Sequence, residues 1–156
     1  MRIFTLFITL FFTGTAAMAD GGRQKSEVIV PEGWEGAYND WGYAPAVKTE
    51  DGTIYVSGVV SRLRGEGSYE EQYAAGFKAA LETIDNILKE GGASLDDVVE
   101  LMTFHTDLAR QIETAVKARM EVMNPPHPAW TAVGTTALVP PLGVTEIRVV
   151  AKIAKD

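Results

Sequence analysis

The sequence contains no cysteine, so disulfide bonds, thiol nucleophiles and cysteine-ligated zinc are excluded from its chemistry. It has only two histidines, and 14 basic residues against 21 acidic ones give a formal net charge of −7. This acidic balance argues against a general nucleic-acid binder, because phosphate backbones are bound by basic surfaces. The hydrophobic fraction of 46% excludes a disordered chain, and 156 residues suit one domain with its own core.

Sequence motifs for the common cofactor and metal sites are also absent. The chain has no phosphate-binding loop, zinc-protease motif, serine nucleophile elbow or calcium-binding loop. A two-histidine metal site would need His105, His127 and a carboxylate such as Asp107, but ordinary strand and loop histidines are the commoner arrangement. Ser57 has no evident histidine and aspartate partners that would activate it as a nucleophile. We therefore expect neither a metal nor an organic cofactor.

The N-terminus has the organisation of a cleaved secretory signal peptide over residues 1–19. Arg2 precedes an apolar run from Ile3 to Phe12, which is too short to span a bilayer. Ala17-Met18-Ala19 then places small residues at a signal-peptidase site. A retained anchor or a buried N-terminal strand is the alternative. We expect a periplasmic or secreted protein that has no membrane association after cleavage.

The remaining sequence predicts one domain in which strands and helices mix. Residues 20–30 are expected to form a flexible lead and the first strand, and residues 31–156 a single domain. The clearest element is a helix that begins at Ser68, in a capping box with Glu71, and ends at Gly91-Gly92. Hydrophobic periodicity predicts a second helix at 110–123 and strands at 28–31, 47–49, 53–60, 98–107, 131–139 and 144–153. Residues 32–46 are expected to be a loop with buried aromatic anchors.

This order of elements predicts an α+β fold, with a mixed β-sheet and two helices packed on one face. The strand at 98–107 is apolar on both sides, so we expect it in the centre of the sheet. Two helices cannot cover both faces of such a sheet. We therefore expect oligomerisation to cover the other face.

Several segments together resemble the RidA/YjgF family, also called L-PSP endoribonuclease-like. His127 to Gly134 resembles the family's P-A-R-[ST]-x-V segment, and Val144 to Ala151 resembles its V-E-I-E-x-x-A strand. Tyr55-Val56-Ser57-Gly58 matches a strand that ends in Ser-Gly, and Tyr43 lies upstream at the expected spacing. The segment from Asn86 to Val99 is similar to the family's N-[IL]-x-x-[IL]-L-x-x-A-G-x-x-x-x-D-V-V block. The resemblance covers residues 43–154.

The resemblance implies a chorismate-mutase-like fold and a homotrimer with small-molecule clefts between neighbouring subunits. Active members hydrolyse imines and enamines to carbonyl compounds and ammonia, without a cofactor. In that reaction an arginine holds the substrate carboxylate and a glutamate orients the attacking water. By resemblance, Glu146 stands at the glutamate position, and Tyr43 and Ser57 are expected in the pocket.

The chain departs from the family at the arginine position, which is Trp130, and the residue two further on is Ala132. A guanidinium pairs with a carboxylate through two charge-assisted hydrogen bonds, whereas an indole offers one neutral N–H and an apolar face. We therefore expect 2-imino acids to bind poorly and neutral or aromatic ligands to stack on Trp130, unless this side chain only fills space. Arg148, Arg62 and Arg64 are alternative sources of positive charge.

The sequence thus leaves two functions open. The first is a hydrolase for imines, enamines or a related small metabolite, with Glu146 positioning water. The second is a non-enzymatic periplasmic trimer whose cleft binds a neutral or aromatic ligand. The alternative for Glu146 is an ion pair with Arg148 or a solvated position at a sheet edge. Ribonuclease activity is disfavoured by the acidic charge, so no nucleic-acid partner is expected.

Overall fold

The computed structural model describes residues 21–154, so the predicted signal peptide at residues 1–19 lies outside the described part of the chain. The described residues form one β-sheet, two long helices and one short helix. In chain order the elements are β1 (Glu27–Ile29), α1 (Glu35–Asn39), β2 (Ala46–Lys48), β3 (Thr53–Ser61), α2 (Tyr69–Glu90), a 3-10 turn (Leu95–Asp97), β4 (Val98–His105), α3 (Leu108–Val122), β5 (Ala129–Gly134) and β6 (Thr145–Lys152). None of the helices in residues 21–154 is both long and apolar enough to cross a membrane.

The strands form a single mixed sheet in the order β1-β2-β3-β6-β4-β5. Every neighbouring pair is antiparallel except β4 and β5, which are parallel. Helix α2 packs on β3 and β6, and α3 packs on β4 and β5. The predicted α+β architecture, with a mixed sheet and two helices on one face, is therefore confirmed, as is the internal position of β4. The homotrimer stays a prediction.

Helix α2 has both of the ends that the sequence predicts. The Ser68 hydroxyl accepts a hydrogen bond from the Glu71 N–H at 3.3 Å, and the Glu71 carboxylate accepts one from the Ser68 N–H at 2.8 Å. At the other end the Gly91 N–H donates to the Leu88 carbonyl, and Gly92 has a φ of +81°, which favours glycine. One stripe of α2 is buried against the sheet: Tyr73, Phe77, Ala80, Leu81, Ile84, Ile87 and Leu88.

Several predicted boundaries differ from the structure, and for two of them the structure shows the reason. Helix α3 is predicted at 110–123 and runs from Leu108 to Val122, because Asp107 caps it by accepting from the Arg110 N–H at 3.3 Å. The strand predicted at 131–139 is wrong in its bounds, since β5 ends at Gly134. Gly134 pairs with His105, the last residue of β4, so no neighbouring strand continues beyond this point. A β-prone sequence without a ladder partner does not form a strand there.

The prediction that residues 32–46 form a loop with buried aromatic anchors is wrong. The segment contains α1, and only Trp34 packs partly against the core. Tyr38, Trp41 and Tyr43 are exposed by 48%, 72% and 41%. These rings therefore do not anchor the segment in the core.

An irregularity in β3 shapes the sheet face opposite the two long helices. The register between β3 and β6 shifts between Val56 and Val59, which leaves Ser57 and Gly58 outside the regular ladder. A β-bulge redirects side chains locally and is common beside functional sites. Further along this face, Tyr55 and Val133 expose apolar surface. The sheet face opposite the two long helices therefore leaves apolar side chains exposed.

Candidate functional site

A cavity of about 800 Å³ opens on this sheet face, where the bulge of β3 meets the start of β6. Its floor comes from the two strands, and its walls come from the aromatic segment around α1 and from the loop before β6. The lining residues are Gly33, Trp34, Gly36, Ala37, Trp41, Tyr43, Ser57, Gly58, Val60, Val139, Pro140 and Glu146. Three of the residues predicted from the sequence, Tyr43, Ser57 and Glu146, therefore lie in one cavity.

The Glu146 side chain crosses the floor of the cavity directly above Gly58. A Cβ at position 58 would lie 2.6 Å from the Glu146 Cδ and 2.8 Å from its Cγ, so only glycine leaves room for the carboxylate. On the sheet Glu146 is flanked by Val60 and Phe104, which are apolar. The bulge and the missing side chain together place this carboxylate in the cavity.

Glu146 forms no ion pair within residues 21–154. The predicted alternative, a pair with Arg148, is wrong because the Arg148 guanidinium binds Glu100 at 3.2 Å. None of the three arginines considered as replacement cations, Arg62, Arg64 and Arg148, lines the cavity. The carboxylate therefore faces the cavity without a compensating positive charge from the described part of the chain.

Ser57 connects the cavity floor to the aromatic wall. Its hydroxyl donates to the Ala44 carbonyl at 2.7 Å, and its N–H donates to the Pro45 carbonyl at 2.9 Å. The hydroxyl proton is thus occupied, and the oxygen keeps acceptor capacity toward a ligand. Tyr43 directly precedes this braced stretch and exposes its ring at the cavity wall.

Sequence reasoning missed Trp34, Trp41, Val139 and Pro140 as lining residues. Backbone hydrogen bonds hold the aromatic wall in place, because the Trp41 N–H donates to Gly36 at 3.2 Å and the Tyr43 N–H donates to Ala37 at 3.1 Å. The density of tryptophan, tyrosine and glycine in residues 32–46 was the available signal. It indicates a wall of rings at a cavity rather than anchors in the core.

Trp130 and Ala132 lie on the other face of the sheet, toward the helices. The Trp130 Nε1–H donates to the Thr103 hydroxyl at 3.0 Å, and the Arg119 guanidinium carbon lies 5.3 Å from the ring centre. Neither Trp130 nor Ala132 lines the cavity that contains Glu146. One subunit alone therefore does not bring these two residues together with Tyr43, Ser57 and Glu146.

His105 belongs to a buried hydrogen-bond network and does not face the cavity. Its Nδ1 lies 3.3 Å from the Tyr73 hydroxyl and 3.2 Å from the Thr145 hydroxyl, and its Nε2 lies 2.8 Å from the Thr103 hydroxyl. Burial lowers the pKa of His105 below its ordinary value of 6.5, against a smaller opposing effect of the Gln111 side chain. The histidine is therefore neutral at physiological pH.

The two histidines do not form a metal site in the described structure. His127 is exposed, whereas His105 is fully buried and bound to hydroxyl groups. Across residues 21–154, no three histidine, aspartate or glutamate side chains lie close enough together to hold a metal ion. Within residues 21–154, the cavity offers one carboxylate, the Ser57 oxygen, the Tyr43 phenol and the indole N–H groups of Trp34 and Trp41 as its polar side-chain groups.

The chain matches one protein family model and is similar in sequence and structure to several known proteins. The family model described as Endoribonuclease L-PSP matches residues 38–153. The RutC family protein YjgH of Escherichia coli (strain K12) is 32% identical over 130 residues, which cover 82% of this chain and 95% of that protein. A solved structure of protein YjgH superposes with a TM-score of 0.68 at 28% identity, covering 85% of this chain and 99% of the other. RidA from the Antarctic bacterium Psychrobacter sp. PAMC 21119 gives a TM-score of 0.61 at 31% identity, with 72% and 89% of the two chains covered.

Proposed function

Because the chain belongs to the endoribonuclease L-PSP family and folds like its YjgF and RidA relatives, we propose that it hydrolyses small imines or enamines in the cavity around Glu146. The observation that carries the proposal is a carboxylate held over Gly58, in an open cavity, with no ion pair in the described chain. A carboxylate with no cationic partner is available to accept a proton from water.

The proposed reaction needs one water and one proton acceptor. Glu146 accepts a proton from water while the water oxygen bonds to the imine carbon, and it passes this proton to the nitrogen, which gives a carbinolamine. The hydroxyl proton of the carbinolamine then moves through Glu146 to the nitrogen as the C–N bond breaks, and a carbonyl compound and ammonia leave. An enamine first gains a proton on carbon and loses one from nitrogen, which gives the imine. The Ser57 oxygen and the Tyr43 phenol are placed to orient the nitrogen.

We also propose that the active form is an exported homotrimer. In this arrangement the sheet faces that one chain leaves exposed are covered by neighbouring copies, and the edge strand β5, which carries Trp130 and Ala132, borders a neighbour's cavity. N-terminal sequencing of the exported protein tests the predicted signal cleavage, with Asp20 expected as the first residue.

A second candidate function is ligand binding without turnover. The observation that favours it is Trp130, an indole where the RidA-like sequence pattern has a carboxylate-binding arginine. A cleft altered at this position, in an exported protein, suits capture of a metabolite as well as its hydrolysis.

Ammonia release separates the two functions. Imines are generated in the assay by an amino-acid oxidase or an amine oxidase, and ammonia is followed with protein that begins at Asp20. Turnover that is lost in Glu146→Gln supports the hydrolase, because the variant keeps the shape but not the base. Turnover that is unchanged in Glu146→Gln contradicts the mechanism. Activity gained only in Trp130→Arg indicates an intact scaffold diverted to another ligand.

A further inference from the structure

Within the part of the chain that the structure describes, the side chains lining the cavity carry a single full charge, and that charge is negative. Among its lining residues Glu146 is the one carboxylate, and no lysine, arginine or histidine is present. The nearest arginine on β6, Arg148, is already bound to Glu100. An anionic ligand placed here would meet an unpaired carboxylate in a partly desolvated site, which is unfavourable.

The walls of the same cavity are aromatic. Trp34, Trp41 and Tyr43 come from a segment of ten residues and line the cavity together. Trp41 is 72% exposed although backbone hydrogen bonds fix its position. Large rings kept exposed on a braced segment are typical of binding surfaces, because a core residue would be buried.

Aromatic faces and a carboxylate attract the same kind of ligand. The faces of tryptophan and tyrosine carry negative partial charge and bind ammonium groups, and rings arranged around a site recognise substituted ammonium ions. A carboxylate on the floor adds direct charge pairing. Val60, Val139 and Pro140 complete the lining with apolar surface that suits alkyl or aryl substituents.

We propose that the cavity selects its ligand by positive charge and takes a small organic cation without a carboxylate. This inference rests on the proposed function for its substrate form, which is then a protonated imine rather than the anion of a 2-imino acid. Water adds to the iminium carbon as Glu146 takes one proton from it, and Glu146 returns this proton to the nitrogen. As the C–N bond breaks, Glu146 takes the hydroxyl proton and passes it to the departing ammonia. An iminium ion and water give a carbonyl compound and an ammonium ion, so atoms and charge balance.

Three probes of nearly equal shape test charge selection by binding alone. Choline is the cation, 3,3-dimethylbutan-1-ol is its uncharged isostere, and 3,3-dimethylbutanoate is the anion. Titration of the full chain, followed by calorimetry, is expected to give choline an affinity about tenfold or more above that of the alcohol, and no binding of the anion. Equal binding of choline and the alcohol, preference for the anion, or no choline binding at millimolar concentration overturns the proposal.

Two variants and one control locate the effect. Glu146→Gln is expected to lower the affinity for choline toward that for the alcohol, because it removes the charge of the carboxylate and leaves the aromatic faces in place. Trp41→Leu is expected to weaken choline binding about three- to tenfold. The matched control is Tyr38→Leu, since Tyr38 is an exposed ring on the same segment that does not line the cavity. Equal losses in Trp41→Leu and Tyr38→Leu would place binding elsewhere and contradict the proposal.

A kinetic pair connects charge selection to turnover. Phenethylamine with an amine oxidase and phenylalanine with an amino-acid oxidase give imines that differ only in the carboxylate. We expect the carboxylate-free imine to be hydrolysed with the higher kcat/KM, and the reverse order overturns the inference. Hydrolysis of neither imine contradicts the proposed hydrolase, while the choline series still decides charge selection. The failures of the two proposals are thus distinguishable.

Discussion

Glu146 reaches the cavity only because position 58 has no side chain. In Gly58→Ala the new Cβ would lie 2.6 Å from the Glu146 Cδ, so the carboxylate must rotate away. The clashing group is the far part of a flexible side chain, and we expect the free energy of unfolding to change by less than about 1 kcal/mol. Imine turnover and choline affinity are expected to fall at least tenfold. Chemical denaturation and the two assays measure these effects separately.

Gly134→Ala provides the control for this prediction. Gly134 also lies on a strand, and an added Cβ would meet only Leu108, at 3.8 Å. This variant is expected to keep both turnover and binding. If Gly58→Ala behaves like Gly134→Ala in both assays, the position of Glu146 over residue 58 is not required for function.

His105 predicts a distinct pH dependence of stability. Burial lowers its folded-state pKa, so the unfolded chain binds a proton more readily than the folded one. The stabilisation linked to the neutral form of His105 is therefore fully present above about pH 6.5. The free energy of unfolding decreases as the pH falls from there toward the lower folded-state pKa. Carboxylates with lowered pKa, such as Glu71 and Glu113, reduce stability only below about pH 4.5.

Denaturant unfolding at pH 7.5 and 5.5 isolates the histidine. In His105→Gln we expect a lower overall stability but a smaller difference between the two pH values. His127→Gln is the matched control, because His127 is exposed, and its pH difference is expected to equal that of the original chain. An unchanged pH difference in His105→Gln would show that this histidine is not the titrating group.

At the scale of elements, helix α2 lies close to the backbone of Arg62, in the loop after β3, at the position of Gly76. A Cβ there would lie 2.9 Å from the Arg62 carbonyl carbon and in still closer contact with its oxygen. Helix propensity alone predicts that Gly76→Ala stabilises the protein by about 1 kcal/mol. The opposing contact is with backbone, which cannot rotate away, so we expect a net destabilisation of about 1–3 kcal/mol. The midpoint of denaturant unfolding measures the sign.

Ala75→Gly, at the preceding helical position, separates helix propensity from the contact with the Arg62 backbone. Ala75 is exposed, so this change tests propensity without a packing contact, and we expect a loss of about 1 kcal/mol. If Gly76→Ala instead increases stability by a similar amount, the helix and the loop at Arg62 adjust freely. The close approach would then have no energetic consequence.

Elements with both an end signal and a period were predictable from the sequence. Helix α2 has Ser68, Gly91 and a continuous apolar stripe, and β6 alternates strictly between buried and half-buried residues. Helix α1 has only five residues and no side-chain cap, so no local pattern marks it. The end of β5 is set by the end of β4, which is a tertiary property. The position of Trp130 on the helix side depends on this same pairing.

The candidate site was predictable only in part for a similar reason. Tyr43, Ser57 and Glu146 follow from a family resemblance and meet in one cavity. The sequence predicts Trp34 and Trp41 as buried anchors, because sequence does not reveal whether a ring packs inward or lines a groove. The requirement for Gly58 depends on the register shift in β3, which no local sequence pattern specifies.

At the scale of the whole molecule, the sheet face that carries the cavity also exposes apolar side chains. Tyr55 is 45% exposed in the middle of the sheet, opposite Val47 and Val150, and Val133 is exposed near its edge. Apolar residues at the centre of a sheet are buried in most stable domains, so we expect other copies of the chain to cover these side chains. The predicted homotrimer is the assembly that we expect to cover them.

Sedimentation equilibrium tests this assembly. We expect three times the mass of one chain at micromolar concentration, and a melting temperature that rises with protein concentration. Tyr55→Glu places a charge on the face that neighbouring copies are expected to cover, so it is expected to yield monomers. The matched control is Met120→Glu, since Met120 is 56% exposed on α3, on the opposite side of the sheet, and its variant is expected to stay trimeric. A monomeric mass for the original chain, or equal dissociation in both variants, would remove the open sheet face as the assembly surface.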